Sequence, residues 1–69
     1  MDIKMTEPEN PPYVTVMQGV DVYCVVLMVY SRVEGEYHIA RSSRGYKTRA
    51  KADDVADTWA VTDHAEVRR

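Results

Sequence analysis

The stretch Val22-Tyr23-Cys24-Val25-Val26-Leu27-Met28-Val29-Tyr30 constrains this chain most, because it is its only long apolar run. It is rich in β-branched and aromatic residues, too short to cross a bilayer, and closed by turn-forming residues, so it reads as a strand. Alternation along a strand sends Val22, Cys24, Val26, Met28 and Tyr30 to one face and Tyr23, Val25, Leu27 and Val29 to the other. Both faces are apolar, as in a strand at the centre of a sheet covered on both sides. The sequence offers one good helix to do the covering. That mismatch points to a partner.

At 69 residues the chain holds a single domain and buries too little surface to shape a deep catalytic cleft as well as a core. The expectation is a protein that is not an enzyme. Cys24 is the one cysteine, which excludes an internal disulfide and fits a reducing cytoplasm. The N-terminus leads into Pro8 and Glu9 rather than an apolar segment, so no secretory signal and no membrane association are expected. The formal net charge of -2 hides a segregation, with basic residues gathered between 41 and 51 and Asp53, Asp54 and Asp57 just after them.

Residues 1–12, with Pro8, Pro11 and Pro12 among polar and acidic neighbours, read as a flexible tail, and residues 13–69 as the folded domain. Tyr13 to Met17 alternate as a short strand closed by Gly19, which can supply the positive φ of a hairpin turn. Gly35 does the same after the central strand. A third strand runs through Tyr37 and Ile39, and Tyr46-Lys47 either extends it past a bulge or forms a short fourth one. Ala52, Val55, Ala56, Trp59 and Ala60 then fall on one stripe of a helix, with Thr48 as N-cap. The predicted fold is α+β: a three- or four-stranded antiparallel β-meander packed against one C-terminal α-helix, with the extent of helix beyond Ala60 left open.

No active site is legible. Ser42 and Ser43 lack an identifiable base, and His38, His64 and Cys24 do not have metal-ligand spacing, so no cofactor and no metal are expected. Two surfaces remain. Tyr23, Val25, Leu27 and Val29 form the expected partner-binding face, with the opposite side of the same strand as the alternative if the helix covers this one. Tyr37, Arg41, Arg44, Tyr46, Lys47 and Arg49 form a basic, aromatic patch that could hold phosphates while its tyrosines stack on bases. Asp53, Asp54 and Asp57 are most simply the helix's solvated face, with imitation of nucleic-acid charge as the functional alternative.

Gly45, Tyr46, Thr48, Arg49 and Ala52, with Ala56 beyond, follow a glycine-aromatic-x-threonine-basic pattern that leads to small residues on a helix's inner face. This junction resembles that of the arm-type DNA-binding domains of phage and transposon tyrosine recombinases. The resemblance covers residues 45–56 and implies a three-stranded sheet on a C-terminal helix, with the sheet, Arg41 and Lys47 against a DNA groove.

Two functions follow. The first is a small non-catalytic accessory protein that binds or inhibits another protein by surface complementarity, of the phage or mobile-element type that includes anti-CRISPR proteins, and that acts as a homodimer or complex subunit. The second is a nucleic-acid-binding module built on the basic segment.

Overall fold

The computed structural model describes residues 10–68. The central run forms β2 (Tyr23–Ser31) between β1 (Tyr13–Gln18) and β3 (Glu36–Ser42), both antiparallel to it. The helix α1 (Arg49–Thr62) follows, and a three-residue strand β4 (Glu66–Arg68) closes the chain. The sheet order is β3-β2-β1-β4. It is a four-stranded, mostly antiparallel sheet with one helix, an α+β domain as expected.

The fourth strand is not where the sequence suggested. Tyr46 makes only an isolated bridge to Tyr23, while β4 adds to the free edge of β1 in parallel, pairing Val14 with Val67. The chain gets there through the end of the helix. Asp63 N–H bonds the Trp59 carbonyl at 2.8 Å, Ala65 N–H reaches back to Ala60 O at 2.9 Å, and His64 sits at φ 52°. A left-handed residue followed by a six-to-one bond is a common way to stop a helix. Histidine holds the position that glycine usually takes, which is why no stop was legible in the sequence.

The helix start is as expected: Thr48 is extended, and its hydroxyl accepts from Lys51 N–H at 3.2 Å. The apolar stripe is also as expected. Ala52 and Ala56 are fully buried against Val14, Val25 and Leu27, with Val55, Trp59 and Ala60 packed around them. Two alanines at the contact let the helix backbone lie close to the sheet.

Two turns differ in their reasons. Gly35 takes φ 73°, as expected, and its N–H bonds Ser31 O at 2.7 Å. In the first hairpin the left-handed residue is Asp21 (φ 60°), not Gly19. At Gly19 the constraint is space instead: a Cβ there would lie 3.2 Å from a Val22 methyl, which would have to shift by a few tenths of an ångström.

Of the proposed tail, residues 1–9 lie outside the described residues. Asn10, Pro11 and Pro12 are half-buried, and the Pro11 carbonyl accepts a 3.0 Å hydrogen bond from the Tyr37 hydroxyl. Pro11, within the proposed tail, is thus tied to β3 through its carbonyl. No helix among the described residues is long and apolar enough to cross a membrane.

Candidate functional site

Strand alternation divides the sheet into two faces. Val14 and Val16 of β1, Tyr23, Val25 and Leu27 of β2, and Val67 of β4 pack toward the helix. This corrects the expected partner-binding set. Val25 is 0% exposed and Leu27 9%, so neither can meet a partner, and Tyr23 joins their cluster. Val29 shares their side of the sheet but is 41% exposed.

The surface left free is the alternative one. The register places Tyr13 beside Met28, Thr15 beside Val26 and Met17 beside Cys24; across the other border, Met28 meets Ile39 and Tyr30 meets Tyr37. No described helix or strand packs on this side. Three tyrosines mark one end. The Tyr13 and Tyr37 ring centroids are 5.0 Å apart and those of Tyr30 and Tyr37 5.3 Å, both edge to face, the arrangement that aromatic quadrupoles favour. Val26 at the centre is only 3% exposed, while Met17 and Ile39 on either side are 52% and 55% exposed. At the β4 border, the Arg68 guanidinium lies 4.1 Å from the Tyr13 ring centre and bonds Glu66 at 2.6 Å. That bond raises the arginine's pKa above its ordinary value.

The basic, aromatic patch is taken apart by one residue. Between Leu27 and Met28 the β2–β3 register shifts: Met28 pairs with Ile39 but Leu27 with Arg41, leaving Ala40 as an extra residue in β3. A bulge of this kind reverses which face the following side chains meet. Tyr37 and Ile39 lie on the free face, and unbroken alternation would have placed Arg41 beside them. The bulge turns it to the helix side. There its guanidinium lies 4.1 Å from the Trp59 ring centre and 3.0 Å from Asp63 Oδ2. Tyr46 packs on the helix-side core with Arg44 over its ring at 5.5 Å, and Tyr37 is engaged in the tyrosine cluster. Arg44, Lys47, Arg49 and Lys51 are exposed, the last three around the start of the helix. The geometry thus does not assemble the expected set of Tyr37, Arg41, Arg44, Tyr46, Lys47 and Arg49 on one surface.

One side-chain cluster could offer metal ligands. Glu34, Glu36 and His38 bring donor atoms within 4.8 Å of one another at the tip of the β2–β3 hairpin, all exposed, and His38 Nε2 already lies 2.6 Å from Glu34 Oε1. His64 and Cys24 are not part of it. Arg68, Glu66 and Tyr13 had no place in the expected surface. β4, three residues long, is too short to display a period, and its pairing with β1 is what brings Glu66 and Arg68 beside Tyr13. No family model, curated protein or solved structure matches the chain.

Proposed function

We propose that this chain is a small non-catalytic binding protein that acts through the sheet face opposite its helix, as an inhibitory or accessory subunit needing no chemistry of its own. The observation that carries this reading is the composition of that face. Tyrosine, methionine and arginine are the residue types enriched at protein interfaces, while lysine and aspartate are depleted. Tyr13, Tyr30, Tyr37, Met17, Met28 and Arg68 gather on this face, and its one ion pair lies at the border. The Ala40 bulge turns Arg41 to the other side of the sheet. A contiguous apolar patch of this kind, unopposed by any described element, is where a soluble protein meets another protein.

Capture from the native host extract separates this from nucleic-acid binding. The expected result is that the tagged chain retains a protein, either a host protein or its own untagged copy, after nuclease treatment. Ile39→Glu should abolish retention, and the double variant Lys47→Ala/Arg49→Ala should not. Retention that needs intact nucleic acid, falls steeply with added salt through counterion release and is lost with Lys47 and Arg49 would replace this reading with the second one.

A further inference from the structure

The partner on the free face can be narrowed by asking how a chain this small stays folded. Among the described residues the buried apolar ones are Val14, Val25, Val26, Leu27, Ala52 and Ala56, two of them alanines with little to bury. Below about 70–80 residues a single core rarely suffices, and small proteins add disulfides, a structural metal or a second subunit. Cys24 cannot form an internal disulfide. Among the described residues the one group of possible metal ligands is exposed at a hairpin tip, away from the core.

We infer that the free face is covered by a second copy of this chain, docked sheet to sheet about a two-fold axis. The inference rests on the reading of that face as a binding surface. A second copy would add to this small core, and it is the one partner present wherever the chain is. The electrostatics agree. A two-fold interface brings each patch onto its own copy, so a patch of one charge would repel itself. Among the described residues this face carries one acid and one base, Glu66 and Arg68, already paired with each other at its border. Its other members are uncharged. The size agrees as well. The four strands total 25 residues, which at a rise of ~3.3 Å per residue and a spacing of ~4.8 Å give a flat footprint of roughly 400 Å². Side-chain relief raises the accessible area above that, toward the ~600 Å² per partner at the lower end of specific interfaces. Two such faces would stack ~10 Å apart as in a sandwich, with each copy's helix on the outside.

Sedimentation velocity from micromolar to sub-millimolar concentration tests the pairing. The wild type should sediment at twice the chain mass. Ile39→Glu and Met17→Glu should sediment as monomers with unchanged far-UV circular dichroism, because both positions are more than half exposed in the single chain. Val61→Glu and Val33→Glu, at exposed sites off this face, should remain dimers. A monomeric wild type across the range overturns the inference, and that measurement decides even if a variant loses its fold. If Ile39→Glu nevertheless abolishes capture of a host protein, the face still binds and only self-pairing is wrong. A dimer broken by Val61→Glu or Val33→Glu but not by Ile39→Glu or Met17→Glu overturns both.

Discussion

Replacing Ala56 with glutamate leaves the chain unfolded in water, with the far-UV helical signal lost and no cooperative urea transition. Ala56 is fully buried, and its methyl packs among Val14, Val25 and Leu27, with no polar group in that cluster to receive a carboxylate. Burying an unpaired charge there, or prising the helix away to hydrate it, costs several kcal/mol. A domain this small has about 3–5 kcal/mol to lose. The same substitution at Ala50 should do the opposite. Ala50 is exposed in the first turn of α1, which contains no acid, so a carboxylate there meets the positive end of the helix dipole and stabilises by a few tenths of a kcal/mol up to ~1. Comparable losses at positions 50 and 56 would contradict the packing of α1.

Trp59→Ala is expected to leave the chain only marginally folded. Truncating a fully buried tryptophan costs ~3–5 kcal/mol; this ring is half-buried, so about 2–3 kcal/mol is the expected loss. Its removal also takes the surface from under Arg41, whose contact with the ring adds ~0.5–1 kcal/mol at an exposed site. Urea titrations of Trp59→Ala and Arg41→Met at one protein concentration separate the two contributions, since a self-associating chain changes stability with concentration. The tryptophan variant should lose more than the arginine variant. Equal losses would mean that the ring serves only as a platform for Arg41 and not as part of the core.

The parts of this fold that repeat were legible in the sequence. The central strand and the helix stripe each span enough residues for a period to be unmistakable, and Thr48 precedes its helix with the hydroxyl that a cap requires. Single-residue events were not legible. Nothing distinguishes Ala40 from any other small strand residue, yet its insertion carries Arg41 from the free face to Trp59 and so decides which of two surfaces is apolar. Histidine at position 64 and aspartate at position 21 adopt left-handed conformations that composition assigns to glycine. β4 is too short to carry a pattern and is held by pairing with β1, a long-range contact. Which face the helix covers follows from those same contacts, and so the surface expected to bind a partner proved to be the one under the helix.

The most direct test of the free face as the binding surface is its methyl spectrum. In a chain labelled at methionine and isoleucine methyls, the signals of Met17, Met28 and Ile39 should shift or broaden together when the protein is concentrated or its captured partner is added. In a parallel valine-labelled sample, the signals of Val33 and Val61 should stay in place. Perturbations confined to amides of residues 44–51, with those three methyl signals unmoved, would show that this protein works through its basic segment and that the free face binds nothing.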